Sequence, residues 1–487
     1  MALRGPALAV LSAVLLVLVF PKFSITWLAP VCLAPLLLAV AGEANPKRRA
    51  LLGWAGGIVY WAGACYWIRN VLEQYGGMNV GLVWLAYFLY ALARALPWAV
   101  FAWLAGYVMP SRWAVLGVAA LWTGLERVYG PFSFAWLVLG NAGIDMGIPM
   151  RLAPLTGVYG LSFVLAMMNV AVALLLLRRP RRDLLPLLLL AGLYILPKLP
   201  EIEQGTEIAV LAQPDVEETR EWTETMLENT IRGMAIQSLN SSLQAKPAPK
   251  LILWPEVPAP LYFETDAFLR DQVAQLARVA NADVLLGAVG RAPGQDVFNS
   301  VFLVGADGNP GGRYDKVNLV PFGEHTPELF QWVGRITSEA GTFRPGTSSR
   351  TLPVAQGQQA GVFICYESVF PHYVREFAQK GATVLINASN DGYFGRLSGR
   401  EQHLLLVRMR AAENRRWLLR PTNDGVTAAI DPAGRIDQQL PPLRKTAGRM
   451  RFSFRKDTTP YTQYGDWFVW GCLAIGCGLA AWHARQS

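Results

Sequence analysis

Three segments in the second half of the chain each carry an apolar run onto a residue that can do chemistry. Leu251-Ile252-Leu253-Trp254-Pro255-Glu256 reads as a buried strand stopped by Pro255, which cannot donate to a ladder, so the Glu256 carboxylate projects just past the strand end. Lys316 stands in the apolar-flanked stretch Tyr314-Asp315-Lys316-Val317-Asn318-Leu319-Val320-Pro321-Phe322-Gly323-Glu324. Gly361-Val362-Phe363-Ile364 runs straight into Cys365-Tyr366-Glu367-Ser368 and then into a helix-like stretch. Strand ends are where open α/β sheets build their sites. A strand-to-helix turn lifts its cysteine above the sheet and leaves nearby backbone N–H groups free to form an oxyanion hole. A thiolate is a strong nucleophile, a carboxylate can take the thiol proton, and an ammonium can balance an oxyanion. Taken singly, each has a plainer reading: a surface glutamate after a turn, a snorkelling lysine, a buried inert cysteine. Together they describe acyl transfer through a thioester.

These residues need a scaffold, and residues 205–455 read as an α/β domain. Short β-rich runs fall at Glu207–Ala212, Leu251–Leu253, Val284–Leu286, Val301–Val304, Gly361–Ile364, Thr383–Ile386 and Val426–Ile430. Helix-like segments lie between several of them, at Thr265–Ala280, Val369–Gln379 and Gln402–Arg416. Strands alternating with helices indicate a sandwich or a wound sheet. Of the five cysteines, Cys32, Cys65, Cys472 and Cys477 sit in apolar stretches as small hydrophobes, which leaves Cys365 as the single thiol of the polar region.

The rest of the chain is apolar. Hydrophobic residues make up 53% and charged residues 16%, against about 25% charged in an average soluble domain. The mean hydropathy is +0.27. Residues 1–204 give runs near 7–20, 24–41, 51–69, 80–108, 113–129, 151–177 and 183–198, with a possible break near Pro97, and an eighth run covers 468–482. About 20 residues cross a bilayer core. The Arg4-led start resembles a signal peptide, but further spans follow at once without a clear small-residue cleavage site. Lys47-Arg48-Arg49, Arg112 and Arg178-Arg179-Pro180-Arg181-Arg182 fall on one side if the N-terminus is cytoplasmic, while the loops near 21–23, 70–79 and 130–150 carry little positive charge. Seven crossings then place 205–455 outside the cytoplasm, and residues 456–487 return the chain. The net charge of +9 is accounted for by these loops, and no basic patch with interleaved aromatics argues for nucleic acid.

Glu, Lys and Cys at strand ends, in that order, match the nitrilase (carbon–nitrogen hydrolase) superfamily. Joined to a membrane bundle, they resemble the apolipoprotein N-acyltransferase family along most of the chain. The resemblance rests on Trp254-Pro255-Glu256, the Lys316 segment with Pro321-Phe322-Gly323-Glu324, and Cys365-Tyr366-Glu367. It continues through Ser389-Asn390-Asp391-Gly392-Tyr393-Phe394-Gly395, Gln402-His403, Arg408-Met409-Arg410-Ala411 and Thr422-Asn423-Asp424-Gly425-Val426-Thr427. In the membrane part, Trp122, Glu126-Arg127, Gly130-Pro131-Phe132 and Trp136 look like the family's fifth-span region. The chain departs from the family's usual pattern at Tyr393, where Trp is usual, and at Phe134-Ala135-Trp136, where a Phe-Pro-Trp-like stretch is usual; both bear on lipid preference.

The resemblance implies a polytopic α-helical bundle of about eight spans carrying an αββα nitrilase-like sandwich on the periplasmic side of a bacterial inner membrane. It implies Glu256 as base, Cys365 as nucleophile and Lys316 as oxyanion partner. The donor is an sn-1 acyl chain of a phospholipid such as phosphatidylethanolamine, and the acceptor is the N-terminal amine of a diacylglyceryl-cysteine apolipoprotein. By the same resemblance Glu324 supports Lys316, Tyr366 and Glu367 line the site, and Trp222 closes it over lipid; packing or loop structure is the alternative for all four. Arg127 meets a lipid phosphate or simply snorkels. No metal-spaced His/Cys cluster, Walker-type loop or GxGxxG fingerprint is present, so no cofactor is expected, and a monomer is the default. Two rivals stay open. A membrane-tethered hydrolase would use the same triad with water as second substrate. A non-catalytic scaffold or transporter is disfavoured because the spans lack buried charge pairs.

Overall fold

The computed structural model describes residues 4–75, 78–128, 135–202, 204–217, 221–292, 296–321, 323–324, 343–355 and 357–486. Its N-terminal part is a bundle of mostly apolar helices, the pattern of segments buried in lipid or in one another, with the amphipathic Trp67–Tyr75 as an exception. Pro46–Ala64 begins on Asn45, whose side chain accepts from the Lys47 and Arg48 amides, with Pro46 supplying a first-turn residue that needs no donor. Val80–Arg94 and Leu96–Val108 meet at Ala95, beside the expected break at Pro97. Among the described residues, three helical stretches are long and apolar enough to cross a bilayer: Val80–Val108, Val158–Leu176 and Trp467–Ala484. Pro46–Ala64 with Trp67–Tyr75, bent by 59°, makes a fourth if the two count as one. Arg4–Val19 and Ala114–Glu126 are apolar but shorter. Two expected runs are not continuous α-helix. The 24–41 run is a 3-10 turn at Thr26–Leu28 followed by a helix at Ala34–Ala41, because Pro30 and Pro35 interrupt it. The 183–198 run is 3-10 over Arg181–Tyr194, with Pro186 inside it. Within the bundle Arg94 is 7% exposed, and its guanidinium lies 4.2 Å from the centre of the Trp61 ring.

The second part is built from β1 (Glu207–Gln213), β2 (Leu251–Leu253), β3 (Asp283–Arg291), β4 (Val297–Val304), β5 (Pro310–Asp315), β6 (Thr351–Val354), β7 (Gln358–Ile364), β8 (Val384–Ala388), β9 (Leu418–Arg420), β10 (Ala428–Ile430), β11 (Ile436–Gln439) and β12 (Thr446–Phe452). They form two six-stranded sheets, β12-β1-β2-β3-β4-β5 and β11-β10-β9-β8-β7-β6. Each sheet has a parallel centre, β1-β2-β3 in one and β7-β8-β9 in the other, with antiparallel strands on both sides.

Alternation along the strands makes the layers. Ala209, Leu211, Leu251, Leu253 and Leu285 pack toward Val362, Ile364 and Leu385 of the other sheet. Val210, Ile252, Val284 and Leu286 face the opposite way, onto Ile231, Met234, Leu269, Val273 and Leu276 of helices Glu224–Leu243 and Ala267–Ala280. Helices Pro371–Gln379 and Gly399–Asn414 accompany the second sheet, giving αββα. Five of the twelve strands were absent from the sequence reading. Pro310–Asp315 and Ile436–Gln439 are mostly polar, and Leu418–Arg420 is three residues long, so neither composition nor period marks them.

Polar contacts join the two parts. Arg127 pairs with Asp466 at 2.5 Å, so this guanidinium has a protein partner at the head of the last helix, and Tyr461 donates to the same carboxylate. Glu413 accepts from the Val158 amide at 2.9 Å, and Arg408 pairs with Asp145. Gly130, Pro131, Phe132 and Phe134 of the fifth-span motif lie outside the described residues.

Candidate active site

The end of β2 is held close to β3. A side chain at Gly287 would meet Pro255 O at 2.2 Å and the Glu256 Cα at 2.8 Å, so only glycine lets the Trp-Pro-Glu segment pass there. Glu256 is thereby aimed into the interior. Its Oε1 accepts from Lys316 Nζ at 3.0 Å and from Asn299 Nδ2 at 2.7 Å, and its Oε2 accepts from the Asn390 amide at 2.9 Å.

Lys316 directly follows β5, its amide bonded to Asn299 O at 2.9 Å. The side chain is 1% exposed and its ammonium is shared between two carboxylates, Glu256 at 3.0 Å and Glu324 at 2.8 Å. Burial works against this charge, but Glu256 and Glu324 raise the Lys316 pKa well above the ordinary lysine range, so the ammonium is permanent.

Cys365 follows the last residue of β7 and opens a 3-10 turn at Cys365–Val369 ahead of the helix Pro371–Gln379. Its φ is +48°, the strained left-handed turn of a nucleophile elbow. Burial pushes its thiol up, the Glu256 charge pushes it further, and Lys316 pulls it down; the net direction is upward. The thiol therefore lies within the electrostatic reach of the Glu256 and Asp391 carboxylates and of the Lys316 ammonium. The structure thus brings Glu256, Lys316, Glu324 and Cys365 into one buried cluster.

Residues 12–171 match the apolipoprotein N-acyltransferase N-terminal domain and residues 204–447 match the carbon-nitrogen hydrolase domain. A curated relative from Geobacter metallireducens, named apolipoprotein N-acyltransferase, is 32% identical over 99% of this chain and 96% of its own length. The chain belongs to the apolipoprotein N-acyltransferase family. A relative of the same name from Azotobacter vinelandii is 31% identical over 99% of this chain and 96% of its own. Among solved structures, an amidase from Nesterenkonia sp. is similar at 21% identity, covering 54% of this chain and 94% of its own with a TM-score of 0.40.

In this member of the N-acyltransferase family, Glu367 lies in the 3-10 turn that opens at Cys365. It is 0% exposed and binds four donors. Its Oε1 takes the Val317 and Asn318 amides at 2.8 and 3.0 Å, its Oε2 takes the Ile364 amide at 2.7 Å, and the Tyr314 hydroxyl lies 2.7–2.8 Å from both. Burial pushes this carboxyl up to about 7, while the Ile364 and Asn318 amides pull it down. One side chain thus fastens the loop after Lys316 to the strand that ends at Cys365. Glu367→Gln offers one oxygen and sets an NH2 group against amide donors. The expected result is a loss of about 2–4 kcal/mol in stability by thermal unfolding and about 10²-fold slower N-acyl transfer through the displaced loop. Unchanged transfer would mean the loop is held by other contacts.

The other expected residues are more dispersed. Tyr366 is buried and meets the Phe370 ring edge-on at 5.3 Å. Trp222 is half-buried against the apolar cluster under helices Glu224–Leu243 and Ala267–Ala280. Tyr393 is 43% exposed and packs edge-on against Tyr75 of the bent helical arm at 5.1 Å. Asn299 was missed: its Nδ2 donates at 2.7 Å to both Glu256 and Glu324 and holds the two carboxylates around Lys316. Its signal was an Asn-Ser pair, both buried, inside the otherwise apolar β4. Behind the elbow lies a second buried cluster. Arg420 donates to both Asp391 oxygens at 2.9 and 2.7 Å, Asp391 faces His403 Nδ1 at 2.9 Å, and His403 Nε2 lies 3.0 Å from Cys365 O. Its segments stood out in the sequence, but the roles of these residues did not.

Proposed function

We propose that this protein transfers an sn-1 acyl chain from a phospholipid, through a thioester on Cys365, to the N-terminal amine of diacylglyceryl-cysteine apolipoproteins. The observation that carries the reading is the Lys316 ammonium clamped between Glu256 and Glu324 beside a cysteine at a positive-φ elbow. Glu256 takes the proton from Cys365 as sulfur attacks the ester carbonyl. Lys316, with a backbone amide near Cys365 or Tyr366, stabilises the tetrahedral oxyanion. The C–O bond breaks, the lysophospholipid leaves with the proton from Glu256, and the acyl-thioester remains. The acceptor amine then attacks the thioester carbonyl and gives its proton to Glu256. The C–S bond breaks, an amide forms, and the proton returns to the thiol.

The domain reading is a membrane part at 1–204, a catalytic part at 205–455 and a returning segment at 456–487. Eight crossings of a bacterial inner membrane, with Pro-broken segments at 24–41 and 181–194, put the catalytic part in the periplasm beside outer-leaflet lipid. The positive loops at 47–49, 112 and 178–182 support this orientation. Both substrates are lipids, which accounts for a bundle joined to the sandwich.

The test is intact mass after incubating the purified chain in detergent with phosphatidylethanolamine alone. One added fatty acyl chain, absent in Cys365→Ala and removed by hydroxylamine, is the expected result. Steady release of free fatty acid without an adduct would replace the transferase with a hydrolase. Neither adduct nor release would overturn the phosphatidylethanolamine donor.

A further inference from the structure

Gln402 and His403 are consecutive on the helix Gly399–Asn414, and they face two different parts of the molecule. Gln402 is 0% exposed, and the amide is fully used. Its Oε1 accepts from Trp67 Nε1 at 3.1 Å and Trp136 Nε1 at 2.8 Å; its Nε2 donates to Pro21 O and Ala64 O, both at 2.8 Å. These partners come from four separate places in the membrane part: the turn after the first helix, the end of Pro46–Ala64, the start of the bent arm, and the segment after Ala114–Glu126. One buried side chain therefore fits only when all four are assembled around it.

His403 points instead at the elbow. Its Nε2 lies 3.0 Å from Cys365 O and 2.9 Å from Ser368 Oγ, and its Nδ1 faces Asp391, which Arg420 holds. The Trp136 ring that donates to Gln402 also packs 6.1 Å from the His403 ring, centre to centre. A residue at φ +48° keeps that conformation only where its surroundings over-determine it. At Cys365 those surroundings include the His403 ring, and the helix carrying that ring is fixed one residue earlier by the bundle.

We propose that Gln402 is a positioning residue which, through His403, makes the Cys365 elbow depend on the assembled membrane bundle. The bundle then sets the reactivity of the nucleophile as well as bringing lipid to it. The consequence for acyl transfer rests on the proposed function above, so thiol reactivity, which does not, is measured beside it.

The experiment uses the full chain in detergent micelles and follows two rates: alkylation of Cys365 by iodoacetamide across pH, read on its peptide by mass, and acylation by phosphatidylethanolamine at varied donor concentration. Gln402→Met keeps the side-chain length and removes all four hydrogen bonds to the membrane part, along with the 3.3 Å bond from Nε2 to Ser398 Oγ within its own helix. The expected result is a folded protein with a shifted alkylation pH profile and an acylation kcat about 10²-fold lower at unchanged KM. His403→Leu should reproduce the change, whereas His403→Gln, whose amide can still donate toward Cys365 O, should recover most of the rate. If Gln402→Met does not fold, the His403 pair, which leaves the bundle contacts in place, carries the test. An unaltered alkylation profile in folded Gln402→Met, or a defect confined to KM, would overturn the proposal. Equal loss in His403→Gln and His403→Leu would overturn it as well. Altered alkylation in a protein whose wild-type form takes up no acyl chain would leave the coupling standing and remove the proposed reaction.

Discussion

Replacing Cys365 with alanine is expected to lower acyl transfer by at least about 10⁴-fold, because loss of the nucleophile of a concerted unit leaves only binding and oxyanion contributions. The same change should hardly affect folding. Cys365 is 9% exposed at a strained turn that alanine tolerates no worse than cysteine, and removing one sulfur costs about 1 kcal/mol. The separation of these two effects is what identifies a reacting atom. Transfer would be measured by the mass shift of a diacylglyceryl-peptide acceptor, and folding by thermal unfolding in the same detergent. Cys365→Ser should be nearly as inactive, since burial and the Glu256 charge that push a thiol upward weigh more heavily on a hydroxyl. Full transfer by either variant would exclude the Cys365 thioester.

Glu256, Lys316 and Cys365 were legible because each ends or follows a strand, and strand ends converge in an α/β sandwich. Asn299 was not, since it lies mid-strand, where a polar residue normally suggests an outward face; only the packing of two sheets turns it inward onto Glu256 and Glu324. Glu367 stood out in the sequence beside Cys365, but its hydrogen-bond partners did not. Adjacency to Cys365 suggests a residue facing substrate, yet the tight 3-10 turn at 365–369 rotates it back toward Ile364 N and the Lys316 loop. Hydropathy marked the apolar runs, of which three among the described residues, or four with the bent pair, are helices long enough to cross a bilayer; the interruptions of the others depend on proline positions and tertiary contacts, which hydropathy averages away. Gln402 shows the limit most clearly. Its sequence neighbourhood is that of a polar helix start, and its four partners are brought together only by the assembled bundle.

Lys316 is the residue whose loss should affect both stability and chemistry, and a second substitution separates the two. In Lys316→Met, Glu256 and Glu324 keep Asn299 between them but lose the buried cation that both contact. Breaking a buried ion cluster by removing one partner costs about 3–5 kcal/mol, because the remaining charges are left unbalanced in a low dielectric. A large fall in unfolding temperature is therefore expected. On the proposed mechanism, acylation of Cys365 should fall by about 10³-fold, since the oxyanion loses its cation and Glu256 loses one of its three hydrogen-bond partners. Adding Glu324→Gln removes one of the two stranded carboxylates while leaving an amide that can still hydrogen-bond within the cluster. The double variant should regain part of the lost stability and, on the proposed mechanism, none of the lost acylation, because position 316 still carries no charge to stabilise an oxyanion. Recovery of acylation together with stability would reduce Lys316 to a counter-ion that keeps two glutamates in place, and the oxyanion would then have to be held by backbone amides at the elbow alone.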